Sequence, residues 1–510
     1  MKKKLWFWRL FSRRVLVILA LIIQACFLYY IVSSGSQFSR WFSSTLTLLS
    51  LIAVLYIVSR KDKGAFKTTW VFLILSFPLF GGLLYFLFLL QTNSKITKQR
   101  IQAARSKSAP LYLIDSNDYQ LATEHIGAAA SQISYLQNYA GFPIYSDSSA
   151  KYLSPGEEVF DALLQALEQA ETYIFLEFFI VEEGIMWNSI LELLKKKAAQ
   201  GVKVRVMYDD IGCFLLLPKD YPKQLEAFGI ECVKFNPFRS FLTVRQNNRD
   251  HRKIVVIDGV TAFTGGFNLA DEYINAKEKF GHWKDSGVQI NGKAAWSFTL
   301  MFLEMWQIAS GCDEDFSQYL PDFTNDTKNE GFVQPYADSP MDHENVGEHV
   351  YLQILNHAQD YVYICTPYLI VDDSMLSALC LAAKSGIDVR IITPQRWDKW
   401  PIHVTTRSYY RDLLKAGVKV YEYSGGFMHA KTFVSDDHTA TVGTVNLDFR
   451  SMYLHYECGA LIFNSQTIGE LKEDFLKTME ICHPITEQDC HPNLLLRLFQ
   501  DILRLFAPIM

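Results

Sequence analysis

The sequence has almost no negative charge near its start. Residues 1–107 contain a single acid, Asp62, against 16 lysines and arginines, whereas the remaining residues contain 53 acids against 33 basic residues. Proteins that bind nucleic acid gain much of their affinity from basic surface. The acidic balance of the larger part therefore argues against DNA or RNA as its partner.

The sequence also lacks a cysteine pattern. Its nine cysteines are scattered and odd in number, and none of them forms a CxxC pair. Neither a disulfide framework nor a zinc site is indicated by this spacing.

Charge is absent from three long apolar runs within the basic segment, at 15–32, 41–58 and 68–90. Each run has at least 18 residues, which is enough to cross about 30 Å of hydrocarbon. A cleaved signal peptide is the less favoured interpretation of the first run, because it is long and lacks a small-residue cleavage site. The pattern predicts a multi-pass cell-membrane protein, with transmembrane segments within 1–92 and a basic connecting segment at 93–150.

The membrane orientation stays open. The flanks of all three runs are basic, and three true spans cannot place all of them on the cytoplasmic side. Pro78 with Gly81 and Gly82 makes the third run the easiest to break.

The rest of the chain repeats one plan. Residues 172–184 resemble 360–374, residues 201–212 resemble 386–397, and the stretch 248–273 is matched by 428–451. Short apolar strands alternate with segments of helical period, such as 157–170 and 186–200. This predicts an α/β fold of two pseudo-twofold-related αβα sandwich lobes, 151–310 and 333–482, with an acidic linker at 311–332 and a tail at 483–510.

The repeat contains a paired motif, H-x-K-x4-D, in HRKIVVID and HAKTFVSD. A histidine and a lysine two apart on an extended chain point the same way, and Asp258-Gly259 is typical of a hairpin turn. One histidine on a strand is more often structural than catalytic, but its recurrence in both halves favours one shared site. The equivalent residues are His251 and His429, Lys253 and Lys431, Asp258 and Asp436, and Asn268 and Asn446.

Two histidines and two lysines suit phosphodiester chemistry. One histidine can attack phosphorus while the other protonates the departing oxygen, and the lysines stabilise the phosphoryl charge. None of these steps requires a metal. Alignment of 281–290 with 453–462 makes Asp285 and Glu457 the candidate carboxylates that orient the histidines, with ordinary surface acids as the alternative. Asp258 and Asp436 lie seven residues beyond their histidines, near a turn, and could equally brace the fold.

These motifs resemble those of the phospholipase D superfamily. With the apolar N-terminal segment and the leucine-rich C-terminus, the chain resembles the bacterial cardiolipin synthases in particular. The resemblance implies phospholipase D-like lobes and a phosphatidyltransferase that needs no cofactor. It would act on phosphatidylglycerol in the bilayer as donor and acceptor, through a phosphohistidine, to give cardiolipin and glycerol. It also implies catalytic roles for His251, Lys253, Asp258, His429, Lys431 and Asp436, with His251 as nucleophile and His429 as acid and base, an assignment that the repeat makes reversible.

Alternatives remain on the sequence alone. Water could finish the phosphohistidine, which would make the protein a membrane phospholipase D that releases phosphatidic acid. A scaffold with a decayed site is disfavoured, because all six motif residues are intact. Residues 493–508 form an amphipathic helix with Arg497, Gln500, Asp501 and Arg504 on one stripe, which either packs on the protein or lies in the membrane interface. The oligomeric state is left open.

Overall fold

The computed structural model describes residues 26, 29, 37–89, 95–237, 247–323, 330–342 and 344–510. It divides into two compact units. The first falls within Met1–Ser94, Phe238–Asn247 and Leu505–Met510, and the second comprises Lys95–Pro237 and Asn248–Arg504.

Between residues 37 and 89, the first unit forms the helices α1 (Gln37–Ser59), α2 (Gly64–Ser76) and α3 (Pro78–Leu89). The predicted run at 68–90 is interrupted at Phe77, where the backbone leaves helical geometry (φ −134°, ψ 71°). Pro78, which has no N–H to continue the helix, then starts α3. The predicted run at 15–32 lies outside the described residues apart from Cys26 and Tyr29. Across the described residues, none of the helices combines the length and the apolar character that a membrane crossing needs.

The helices of the second unit are α4 (Lys95–Ser108), α5 (Ser116–Ile126), α6 (Ala130–Ser134), α7 (Gly156–Glu168), α8 (Ile185–Ala199), α9 (Tyr221–Glu226), α10 (Ala294–Ser310), α11 (Val346–His357), α12 (Asp373–Lys384), α13 (Trp400–Ala416), α14 (Phe449–Tyr453), α15 (Gln466–Glu480) and α16 (Leu494–Phe506), which ends just beyond it. The strands are β1 (Ser148–Leu153), β2 (Tyr173–Phe178), β3 (Lys203–Asp209), β4 (Ile230–Phe235), β5 (Ile254–Ile257), β6 (Thr261–Gly265), β7 (His282–Lys284), β8 (Gly287–Gly292), β9 (Phe332–Asp338), β10 (Tyr361–Cys365), β11 (Leu369–Ile370), β12 (Asp388–Pro394), β13 (Lys419–Tyr423), β14 (Gly426–Met428), β15 (Thr432–Ser435), β16 (Thr439–Gly443), β17 (Leu447–Asp448), β18 (Glu457–Phe463) and β19 (Cys482–Pro484).

The two large sheets share one strand order. The first runs β1-β8-β6-β5-β2-β3-β4, and the second runs β9-β18-β16-β15-β10-β12-β13 with β19 added at its edge. Strands β2 and β10 each pair with a parallel strand on one side and with an antiparallel strand on the other. The predicted duplication into two α/β lobes is confirmed by this equivalence.

Helix α10 forms much of the core that the two lobes share. Nearly all of its side chains are buried, and they belong to a cluster that includes residues of both sheets. A helix that is apolar on all sides must be enclosed by protein, and here Trp296 and Trp306 serve as core residues.

The hairpins β5–β6 and β15–β16 carry the two motifs. Asp258 and Gly259 have φ values of 53° and 70°, and Asp436 and Asp437 have 53° and 58°. Two consecutive left-handed residues suit the right-handed twist of a tight hairpin. The predicted turn at Asp258-Gly259 is confirmed.

Candidate active site

Each His-Lys pair lies on the short segment that leads into a central strand. His251 and Lys253 directly precede β5, and His429 and Lys431 directly precede β15; all four are buried. Backbone hydrogen bonds tie each segment to the other lobe: His251 N donates to Tyr456 O (2.9 Å), and His429 N donates to Lys284 O (2.8 Å). The structure thereby brings both motifs to the lobe interface.

The carboxylates next to the histidines are exchanged between the lobes. His251 of the first lobe has its Nδ1 2.9 and 3.0 Å from the two oxygens of Glu457, which starts β18 of the second lobe. His429 of the second lobe has its Nδ1 2.7 Å from Asp285 Oδ2 of the first lobe. Both carboxylates are fully buried. A carboxylate at Nδ1 holds the proton there and places the lone pair on Nε2, which in His429 lies 3.2 Å from Lys431 Nζ.

Local contacts fix the two carboxylates in turn. Thr444 Oγ1 donates to Glu457 Oε2, and Ser286 N donates to Asp285 Oδ1 (2.9 Å). Gly266 lies against Asp285, where a Cβ atom would overlap the carboxylate. The chain therefore needs a glycine at this position to admit the acid.

The lysines bond back to their own motifs. Lys253 Nζ donates to His251 O (2.6 Å), and Lys431 Nζ donates to His429 O and lies 2.9 Å from His429 Nδ1. Burial lowers the pKa of Lys253 to about 8 and that of Lys431 to about 7, with each nearby acid acting against this. The pocket thus holds two ammonium groups that are poorly solvated and well placed to attract an anion.

The histidines are neutral at physiological pH. Burial, followed by the charge of Lys431, lowers the pKa of His429 to about 4. Burial and the charges of Lys253 and Lys431 likewise hold the pKa of His251 well below its ordinary value. Burial acts to raise the pKa of Asp285, but His429 and Lys431 together keep it below its usual range. Neutral imidazoles beside ionised carboxylates suit nucleophilic and general-base chemistry.

Asp258 and Asp436 lie at the opposite ends of β5 and β15 from the histidines. The Asp258 carboxylate accepts hydrogen bonds from the amides of Glu171, Thr172 and Tyr173 (2.7–2.8 Å). The Asp436 carboxylate accepts from the equivalent amides of the second lobe at 2.8–2.9 Å. Both acids therefore anchor the start of a central strand, and this geometry favours the bracing role over contact with substrate.

The two motif asparagines differ. Asn268 Oδ1 accepts from Ile180 N (3.0 Å) and its Nδ2 donates to the Tyr273 hydroxyl (2.7 Å). Asn446 is buried, and its Oδ1 has no hydrogen-bond partner among the described residues.

Two neighbours of the histidines were not singled out as site residues from the sequence. The ring of His455 lies 5.5 Å from that of His251, and the ring of Trp283 lies 5.1 Å from that of His429. His455 Nδ1 is also 3.7 Å from Glu457 Oε1, and His251, His455 and Glu457 place potential ligand atoms within 4.8 Å of one another, close enough to hold a metal ion. In the repeat, His455 aligns with Trp283, so a search for identical residues in both halves passes over it.

Known proteins resemble this chain over both lobes and over part of the N-terminal unit. Residues 163–296 and 351–479 match the family described as "Cardiolipin synthase, PLD-like domain", and residues 48–88 match the family "Phospholipase_D-nuclease N-terminal". A cardiolipin synthase of Alkalihalophilus pseudofirmus is 35% identical over 91% of this chain and 93% of its own length. A cardiolipin synthase of Halalkalibacterium halodurans is 33% identical over 98% of this chain and its whole length. An uncharacterized protein of Streptococcus mutans is 41% identical over 90% of this chain and 99% of its own length.

Among solved structures, the phosphatidylserine synthase of Haemophilus influenzae is similar in fold. The TM-score is 0.56 at 15% sequence identity, and the match covers 73% of this chain and 96% of that one. The paired lobes and crossed motifs define a protein of the phospholipase D-like class. Within that class, the chain belongs to the cardiolipin synthase family.

Proposed function

We propose that the protein is a phosphatidyltransferase that makes cardiolipin from two molecules of phosphatidylglycerol. The observation that carries this proposal is the crossed pair of buried histidines, each with a carboxylate at Nδ1 from the opposite lobe. Relatives named cardiolipin synthase that align over almost the whole chain favour transfer to a lipid over hydrolysis to phosphatidic acid.

In the first half of the proposed reaction, His251 Nε2 attacks the phosphorus of one phosphatidylglycerol. A P–N bond forms and the P–O bond to the headgroup glycerol breaks. The departing oxygen receives a proton from His429, which first takes that proton from solvent at Nε2 when the anionic phosphodiester binds beside it. The ammonium groups of Lys253 and Lys431 stabilise the charge that builds on the non-bridging oxygens.

In the second half, a glycerol hydroxyl of another phosphatidylglycerol attacks the phosphohistidine. His429 takes the hydroxyl proton, a new P–O bond forms and the P–N bond breaks. Since two similar phosphodiesters are exchanged, the equilibrium lies near balance, and added glycerol should drive cardiolipin back to phosphatidylglycerol. Asp258 and Asp436 take no part in these steps in this proposal.

The protein is further proposed to work as a multi-pass protein at the cell membrane. Supporting features are the charge-free runs at 41–58 and 68–90, the match of 48–88 to an N-terminal family of phospholipase D-like proteins, and the outward leucines of α16. We propose lobes at 151–310 and 333–482, with the linker 311–332 between them.

Purified protein should be given phosphatidylglycerol alone in bilayers, with the products separated as cardiolipin, phosphatidic acid and glycerol. Cardiolipin and glycerol in equal amounts are expected. Phosphatidic acid as the main lipid product would identify a hydrolase instead.

A further inference from the structure

His455 stands out as a polar side chain that the protein leaves unsatisfied beside the reacting histidine. Its side chain is 10% exposed, and neither ring nitrogen has a hydrogen-bond partner among the described residues. An unpaired polar group in a protein interior costs roughly 1–3 kcal/mol. A buried imidazole with two free nitrogens next to a reactive pocket is therefore poised to pair with a ligand.

The position of the His455 ring indicates which group it can bind. Glu457 contacts His251 Nδ1 at 2.9 Å and approaches His455 Nδ1 only to 3.7 Å, which is too long for a hydrogen bond. The protein thus fixes the tautomer of His251 but leaves either nitrogen of His455 able to carry the proton. The two ring centres are 5.5 Å apart, and potential ligand atoms of both histidines and Glu457 lie within 4.8 Å of one another, so His455 borders the reacting histidine.

The same place in the other half of the site is chemically different. Trp283 is equivalent to His455 in the repeat, and it lies against His429 within an aromatic cluster with Tyr273 and Phe427. An indole cannot exchange donor and acceptor roles as an imidazole can. The two reacting histidines, which the motifs make equivalent, are therefore distinguished by their neighbours.

We propose that His455 is a further catalytic residue, which donates an N–H hydrogen bond to a non-bridging oxygen of the phosphoryl group carried on His251. This inference rests on the proposed function and adds a phosphoryl-binding group that lies outside the H-x-K-x4-D motifs. It takes His251 as the nucleophile, as the proposed reaction does.

The test compares two substitutions at this position. His455→Phe keeps a planar ring and removes both nitrogens, while His455→Asn restores a side-chain N–H donor. Orthovanadate, an anion that adopts five-coordinate phosphoryl geometry, serves as the probe, and its inhibition constant is measured together with kcat and KM for phosphatidylglycerol. As a control, His403→Phe alters a partly buried histidine that lines a separate cleft with Arg407 and Glu422.

We expect His455→Phe to weaken orthovanadate inhibition and to lower kcat by about 100-fold to 1,000-fold, the range for loss of one donor to a developing oxyanion. KM should change less than about threefold, His455→Asn should recover most of the loss, and His403→Phe should leave all three constants within about twofold. Thermal melts of each variant separate folding from catalysis.

Three outcomes would overturn the inference: equal orthovanadate inhibition of wild type and His455→Phe, equal losses in the Phe and Asn variants of matched stability, or a trapped phosphoenzyme that maps to His429. None of these would touch the proposed function if wild type still makes cardiolipin from phosphatidylglycerol. Failure of the wild-type assay would instead remove the proposed function itself.

Discussion

At the scale of single residues, burial sets the charge of the pocket before any substrate arrives. It lowers the pKa of His429 to about 4 and that of Lys431 to about 7, so an imidazole that is neutral and a lysine that is partly charged coexist near neutral pH. An anionic phosphodiester therefore meets neutral imidazoles and a positively charged pocket at the same pH. Exposed histidines and lysines, whose pKa values stay near their ordinary values, would not provide this combination as readily.

The pH dependence of kcat/KM should follow from these free-enzyme pKa values. Protonation of His251, whose pKa is held well below its ordinary value, removes the nucleophilic lone pair, so kcat/KM should rise as the pH increases through that pKa. Above about 7 to 8, Lys431 and then Lys253 lose their charge and attraction for the anionic lipid weakens, so kcat/KM should fall. Initial rates at subsaturating phosphatidylglycerol, measured from below the His251 pKa to above the Lys253 pKa, check this. A profile that keeps rising beyond the lysine pKa values would contradict it.

The exchanged carboxylates make a second prediction at this scale. Glu457→Gln and Asp285→Asn each keep a hydrogen-bonding group of the same shape but remove the charge that orients a histidine of the other lobe. Each substitution should lower kcat by about 10-fold to 100-fold, with little change in KM. Glu457→Gln should also be nearly silent when His251 is already Ala. If Glu457→Gln lowered kcat by the same factor with and without His251→Ala, Glu457 would act on a group other than His251.

At the scale of secondary-structure elements, the hairpins β5–β6 and β15–β16 connect two ends with different tasks. Their first residues follow the reactive histidines, and their turns hold the acids that anchor β2 and β10. Each hairpin thus holds a reactive histidine at one end and fixes the start of β2 or β10 at the other.

Asp258→Asn should therefore lower stability more than catalysis. It weakens charge-assisted hydrogen bonds from three consecutive amides, which should cost about 2 kcal/mol of unfolding free energy. Denaturant unfolding measures this loss, and turnover per folded molecule should stay within about threefold of wild type. Asp436→Asn, the counterpart in the second lobe, should behave alike. If turnover instead fell by about two orders of magnitude at unchanged stability, the catalytic role would be restored.

Helix α16 is another element with a testable surface. Its Arg504 bonds to Asp412 (2.8 Å) and lies over the Tyr409 ring, while Leu494, Leu498 and Ile502 are 80%, 57% and 44% exposed. Gln500 and Arg504 of the polar stripe contact the protein, Arg497 and Asp501 are exposed, and the apolar stripe faces away, an arrangement that suits a helix resting on a membrane interface.

Replacing Leu494, Leu498 and Ile502 together with serine should weaken binding to phosphatidylglycerol vesicles by at least about tenfold, because three large apolar side chains no longer enter lipid. The share of phosphatidic acid among the products should rise as well. Vesicle flotation and the product ratio measure both effects, with turnover in detergent as the control for folding. Unchanged flotation would mean that α16 serves only protein packing.

Sequence and structure agree best where a local pattern dictates the element. Asp258-Gly259 indicated its hairpin, and Pro78 indicated where the third apolar run breaks, because each follows from backbone sterics alone. Alignment of the two halves indicated Asp285 and Glu457 as the acids that orient the histidines. The alignment could not show that each carboxylate contacts the histidine of the other lobe. The sequence did not indicate His455 as a site residue, because it differs from its counterpart Trp283 in the repeat. Its position beside His251 is visible only in the structure.

At the scale of the whole molecule, two lobes build one pocket. Neither lobe holds a histidine together with the carboxylate that orients it, and α10 is enclosed in a core that both sheets share. The pocket thus depends on the docked state of both halves.

His251→Ala and His429→Ala should each remove nearly all turnover, by about 1,000-fold or more, and the double variant should be scarcely worse, since members of one catalytic unit are not additive. Initial rates of cardiolipin formation for the three variants measure this. Losses that multiply would indicate two separate sites and contradict the single pocket.

The exchange of acids between the lobes also bears on ancestry. A forerunner with one lobe could have become active only as a symmetric pair, in which each copy lent its acid to the histidine of the other across a self-complementary twofold interface. Fusion of two such copies into one chain keeps these exchanged histidine–carboxylate contacts and allows the sequences of the two halves to diverge. The presence of an imidazole at His455 where the other half has an indole is the kind of asymmetry that a strict homodimer cannot acquire.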